Sequence, residues 1–255
     1  MRESTERTSS EELIVGRNAV TEALRAGRPI DRLLVAKGDR NGRLGPILAQ
    51  CRERGVLIKE TDSRRLDELC GPNHQGVAAV AACKAYATVE DILALAAERG
   101  EPPFVVLCDE LEDPHNLGAI LRTAEAAGAH GVIIPKRRSA GLTGTVYKTS
   151  AGAVEYVPVA RVSNLSDTIR ELKKQGLWIY GLDMNGESWC GTDLTGAVGI
   201  VVGSEGQGIG RLVREQCDGI LSLPMKGQIN SLNASVATGI VLYEVARQRG
   251  GIQAR

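Results

Sequence analysis

The sequence predicts an α/β protein in two parts, a small α/β sandwich followed by a larger domain built on a parallel sheet. Three observations predict it. Short apolar runs alternate with stretches of helical periodicity from Leu13 onward. The runs of the second half, such as "FVVLC" and "VGIVV", are apolar throughout, as strands buried on both faces are. Segments rich in Gly, Asn and Asp follow those runs, at the carboxyl ends where open parallel sheets bind ligands.

A chain of 255 residues has room for one or two domains. In the first part, "RNAVTEALRAG" puts Ala19, Val20 and Leu24 on one helical face, and Gly27 ends the helix. "IDRLLVA" reads as a strand and "LGPILAQCRERG" as a helix closed by Gly55. "VLIKET" is a second strand, "DSRRLDELCG" a helix capped by Asp62, and "GVAAVAA" a last buried strand. The expected boundaries are a disordered tail over 1–12, a sandwich over 13–83, a linker over 84–103 and the larger domain over 104–255. The linker contains a helix, "TVEDILALAAERG", broken by "EPP". In the larger domain the pattern predicts a helix over 116–127, a strand over 131–135, a short helix near Lys148 and a helix over 165–174. Strands "LWIYGLD", "VGIVVG" and "GILSLP" follow, with a helix near Leu212 and a final helix from Ser231 to about Arg247.

Composition narrows the function. Aromatics make up only 3%, so the cores must be aliphatic. The formal net charge is zero, so the chain as a whole does not advertise a polyanion partner, and no DNA partner is expected. Locally, Lys and Arg outnumber Asp and Glu between Leu13 and Arg65. That surplus marks either a solvated basic face or a face that meets RNA, with Arg17, Arg40, Arg43 and Arg64 as candidates. The six cysteines show no CxxC spacing and no metal cluster, so they read as small core residues in a reducing, cytoplasmic compartment. No apolar run approaches the length of a membrane span.

Three segments at strand ends carry the chemistry. In "DELEDPHNLGAILRTAEAAG", Asp113 and Pro114 turn the chain, Asn116 can cap the helix and Gly118 permits close packing. Arg122 lies among Ala and Leu. It is either half of a surface pair with Glu125 or a permanently charged fork for a phosphate or carboxylate in a cleft or interface. In "VGIVVGSEGQGIG", glycines at 203, 206, 208 and 210 let backbone N–H groups approach a ligand. The spacing is not a dinucleotide fingerprint, because Arg211 stands where a Gly is required, and there is no P-loop Lys. Glu205 in this loop repels phosphate but accepts hydrogen bonds. In "LPMKGQINSLNASVATGI", Leu223, Met225, Ile229 and Leu232 offer apolar walls, with Ser231 and Asn233 as polar lining. Ser231 could equally be a helix cap. A largely apolar pocket with a few directional groups suits a nucleoside-bearing cofactor.

Taken together, "DPHNLGAILRTAEAAG", "VVGSEGQGI" and "LPMKGQINSLNASVA" resemble the three motifs of the SpoU/TrmH group of SPOUT methyltransferases, in order and separation. "VGRNAV" and "HQGVAA" resemble the L30e-like RNA-binding domain that precedes the catalytic domain in the RlmB-like branch. The resemblance implies S-adenosylmethionine as cofactor, a deep trefoil knot near the C-terminus and a homodimer with active sites completed across the interface. It implies 2′-O-methylation of a guanosine in 23S ribosomal RNA. Connection rules alone argue against a knot. Carried over by position, Asn116, Arg122, Glu205, Ser231 and Asn233 become catalytic-site residues. Gly203, Leu223 and Leu232 become cofactor contacts, with Met225 and Gly227 nearby. Ala234 departs from the usual Val. A tRNA substrate, an rRNA adenosine, or a non-catalytic ribosome-assembly role are the alternatives.

Overall fold

The computed structural model describes residues 12–38, 44–229 and 231–250. The tail expected over 1–12, apart from Glu12, lies outside the described residues, as do Arg40 and Arg43. The chain divides into two compact units, Met1–Ala85 with Gly141–Thr145, and Tyr86–Ala140 with Val146–Arg255.

The first unit runs β1 (Leu13–Val15), α1 (Arg17–Arg25), β2 (Ile30–Ala36), α2 (Gly45–Glu53), β3 (Leu57–Thr61), α3 (Ser63–Cys70) and β4 (Val77–Ala81). Its sheet has the order β1-β4-β2-β3, with only β2 and β3 parallel. Successive side chains of a strand face opposite ways. Leu33 and Val35 therefore join Val20, Leu24, Ile47 and Cys51 in one core, while Leu34 and Ala36 join Leu66 in another. Helices α1 and α2 cover one face and α3 the other. Ala19, expected on the buried face of α1, is exposed, and Ala23 takes its place. Asp62 stands at the N-cap of α3, but its carboxylate pairs with Lys37 at 3.2 Å instead of capping. Strand β1, too short to show a period, was not legible in the sequence.

The second unit contains α4 (Val89–Arg99), β5 (Phe104–Cys108), α5 (Pro114–Ala126), β6 (Gly131–Pro135), α6 (Gly144–Thr149), β7 (Val159–Val162) and α7 (Leu165–Lys174). It continues with β8 (Trp178–Ser188), β9 (Val198–Val202), α8 (Arg211–Arg214), β10 (Gly219–Ser222) and α9 (Ala234–Arg249). The start of α6 falls in the segment that groups with the first unit. Six strands form one all-parallel sheet in the order β10-β8-β9-β5-β6-β7. Ile92, Ile169, Leu172 and Val213 cover one face over Val105, Leu107, Ile133 and Val201. Helices α5 and α9 pack against β6 and β9 and against each other. The expected connecting helix, α4, has a full capping box at Thr88 and Asp91 and buries Ile92 and Ala96. β8 runs past its expected end at Asp183, because its last residues pair with β10 after a register shift.

Two histidines, His74 and His130, are buried and bonded. His130 Nδ1 accepts the Phe104 N–H at 3.0 Å and its Nε2 lies 3.0 Å from Glu101. His74 Nδ1 accepts the Gly76 N–H at 2.9 Å. The cysteines are free, but only Cys51 and Cys108 are fully buried, and Cys190 is exposed, so the core reading fails there. Among the described residues no helix is long and apolar enough to cross a membrane.

Candidate functional site

Chain order reverses between β5 and β9, which lie side by side at the centre of the sheet. Loops leaving the carboxyl ends of such a pair diverge and open a crevice. Strand β9 ends at Val202, and Gly203 begins the turn. A Cβ on Gly203 would overlap the Gly208 carbonyl and the Ile209 nitrogen, so only glycine fits. Ser204 and Gly208 then exchange both backbone hydrogen bonds, at 3.2 and 2.8 Å, with Gly208 at φ +65°. The loop is anchored underneath by Asp109, whose Oδ2 accepts the Gly210 N–H at 2.7 Å. Burial pushes the Asp109 carboxyl up, and the Gly210 hydrogen bond opposes that.

Asp113, not Asn116, caps α5: its Oδ1 accepts the His115 N–H at 2.9 Å, and Pro114 occupies the first helical position. Asn116 is thereby free for another task. It is buried, and its Nδ2 donates to Glu205 Oε1 at 2.9 Å while its Oδ1 accepts Asn233 Nδ2 at 2.9 Å. Asn233 Nδ2 also donates to Glu205 Oε1 at 2.5 Å. Each of the three segments singled out in the sequence thus supplies one member of a single hydrogen-bonded cluster. Asn233 does a second job as N-cap of α9, its Oδ1 accepting from the Ser235 and Val236 N–H groups at 3.0 and 3.3 Å. Ser231, the cap considered from sequence, lies two residues before it, and α9 starts at Ala234.

Glu205 also lines a cleft of about 390 Å³. One wall is Leu182, Asp183 and Met184 of β8, just past its pairing with β9, a second is the Gly203–Gly208 loop, and a third is Leu223 and Met225. Ser231, Leu232, Ala234 and Ala237 complete it. Six of the expected residues therefore line the cleft: Gly203, Glu205, Leu223, Met225, Ser231 and Leu232. Asn116 and Asn233 sit behind Glu205. Gly227 and Ile229 do not line the cleft; Ile229 is 72% exposed, and a Cβ on Gly227 would meet nothing within 4 Å. Arg122 is exposed on α5 and, among the described residues, makes no hydrogen bond or ion pair, not even with Glu125. Six residues of helix, at about 100° each, leave it about 120° round the helix from Asn116. Sequence reasoning missed the β8 wall. Its signal was present, since Asp183 ends an apolar run as the other two segments do.

Fold and site define an α/β protein with a glycine-cradled cleft at the reversal point of a parallel sheet. The SpoU rRNA methylase family model matches residues 103–243, and the model for the substrate-binding domain of RNA 2′-O ribose methyltransferases matches residues 13–88. A Bacillus subtilis protein named for the TrmH family of tRNA/rRNA methyltransferases, YacO, is 45% identical over 94% of this chain and 96% of its own. A Staphylococcus aureus protein with the same family name is 46% identical over 93% and 96%. Among solved structures, the SpoU methyltransferase AviRb from Streptomyces viridochromogenes, in complex with AdoMet, aligns with TM-score 0.60 at 28% identity. That alignment covers 96% of this chain and 92% of AviRb. An AdoMet-bound rRNA methyltransferase from Sinorhizobium meliloti aligns with TM-score 0.59 at 26% identity, covering 96% and 89%. The chain belongs to the SpoU/TrmH family of RNA methyltransferases.

Proposed function

We propose that the protein transfers a methyl group from S-adenosylmethionine to the ribose 2′-hydroxyl of a guanosine in 23S ribosomal RNA. The observation that carries this reading is the Asn116–Glu205–Asn233 cluster at the edge of the cleft. The cleft fits the cofactor. Its charged lining among the described residues is two carboxylates, Asp183 paired with Arg214 and Glu205 bonded only to amide groups, so Glu205 is the one that suits a sulfonium and disfavours a phosphate. Gly203 lets backbone come close, and Leu223, Met225 and Leu232 supply apolar walls. When bound, the cofactor supplies an electrophilic methyl group.

The chain's residues must align a ribose hydroxyl with that methyl and lower the cost of deprotonating a very weak acid. Arg122 is always protonated, so it acts as a charge rather than as a base. It holds the RNA phosphate and stabilises the developing alkoxide. Ser231 and Asn233 stand on the substrate side. Because Arg122 turns away from Asn116 within one chain, it serves the site of a second copy. A homodimer is supported by the exposed Val236 and Tyr243 on α9, the helix packed against α5. The first unit, read as L30e-like, supplies RNA affinity through phosphates, and the segment from Leu223 to Asn233 belongs to a trefoil knot. Its relatives' names keep tRNA as the second reading. Incubating the protein with labelled S-adenosylmethionine and either 23S rRNA or total tRNA, then mapping the modified ribose, tests it. Label on an rRNA guanosine is the expected result; label on tRNA alone, on another base, or none overturns it.

A further inference from the structure

Asp183 is the one acidic side chain of the cleft that the cluster around Glu205 does not use. It lies two residues past Gly181, the last residue of β8 in register with β9, so it stands just beyond the β8–β9 pairing, beside the glycine loop. Its side chain is 20% exposed. Arg214 Nη1 holds its Oδ2 at 2.6 Å, and the Asn185 N–H donates to its Oδ1 at 3.0 Å. The same Arg214 donates through Nη2 to the Asn185 carbonyl at 3.2 Å, so one guanidinium fixes both the carboxylate and the turn behind it. On the other side the carboxylate lies next to the glycine loop: a Cβ on Gly208 would make van der Waals contact with Asp183 Oδ2 at 3.6 Å.

A carboxylate has about four acceptor positions, so each oxygen keeps one beyond the partners it has here. Its charge is already matched by Arg214, so it gives little selectivity for a cation. What remains is directional acceptance from a neutral donor pair. We propose that Asp183, clamped by Arg214, binds the vicinal hydroxyls of the cofactor's ribose. The inference rests on the cleft being the cofactor site.

The test is calorimetric titration of the full chain with S-adenosylmethionine, S-adenosylhomocysteine and 5′-methylthioadenosine, which all carry the ribose but differ in charge and length. Asp183→Asn keeps the shape and the bond from Asn185. It is expected to weaken all three about tenfold or more, the worth of a hydrogen bond to a charged group. A loss confined to S-adenosylmethionine places the contact at the sulfonium and overturns the proposal. Wild-type protein titrated with 2′-deoxy and 3′-deoxy methylthioadenosine needs no variant to fold. Affinity should drop there, and Asp183→Asn should weaken each analogue less than it weakens methylthioadenosine itself, because only one hydroxyl remains to be lost; an undiminished affinity for both analogues sinks the idea. Leu223→Arg separates the two readings. If it abolishes binding while Asp183→Asn changes nothing, the cleft is the cofactor site and Asp183 is not its ribose ligand. If Leu223→Arg binds as wild type, the cleft itself is the wrong site and the proposal falls with it.

Discussion

Asn233 shows how one side chain can be asked for two things at once. Its carbonyl oxygen caps α9, and its amide group reaches Asn116 and Glu205. The two roles separate by substitution. Asn233→Ser keeps a capping oxygen but is too short to join the cluster, so it should melt within a few degrees of wild type and lose most methyl transfer. Both variants leave Asn116 Oδ1 without this donor, but Asn233→Ala loses the cap as well, at a cost of about 1 kcal/mol, so its melting point should fall further. Equal activity in Asn233→Ser and wild type would confine the residue to capping. Arg122 is the opposite case, bonded to nothing among the described residues. Arg122→Ala should abolish methylation and leave S-adenosylmethionine affinity unchanged in a binding titration; parallel loss of both would refute its assignment to the RNA side.

Among the elements, packing is exacting at helix α5 and at the start of β5. A Cβ on Gly118 would collide with the Thr149 side chain and crowd the Ser150 backbone, whereas one on Gly206 would meet nothing within 4 Å. Gly118→Ala should therefore cost about 1–3 kcal/mol by overpacking, and Gly206→Ala close to nothing, in chemical denaturation. At β5, His130 accepts the Phe104 N–H through Nδ1, so its ring must be neutral there, and burial lowers its pKa from 6.5. The sign follows from proton uptake. The unfolded chain takes up a proton below about pH 6.5 that the folded chain refuses, so stability falls as pH drops through that value and is unaffected above it. A His130→Gln variant should be less stable at pH 7.5 but show a shallower loss between pH 7 and 5.5; an unchanged slope would remove His130 as its source. The sheet itself was legible, because β5 and β9 are apolar from end to end. β1 and β7 were not, because three or four residues carry no period.

For the molecule as a whole, the basic surplus of the first unit predicts salt-dependent RNA binding. If Arg17 and Arg64 contact phosphates, replacing both with Gln should lower the slope of log affinity against log salt by about two, at unchanged cofactor affinity. An unchanged slope would return that face to plain solvation. Composition, apolar patterning and three short motifs were enough to read the two-part α/β organisation, the parallel sheet and six of the residues that line the cleft, because strand burial and glycine loops leave local marks. Only the tertiary structure decided which polar groups meet. Asn116, Glu205 and Asn233 are 117 residues apart at the extremes and bond directly, Asp183 is turned into the cleft by Arg214, and Asp113 takes the cap that Asn116 could have filled. Hydrogen bonds between side chains far apart in sequence depend on where the strands of the sheet are ordered in space, and no local period records that order.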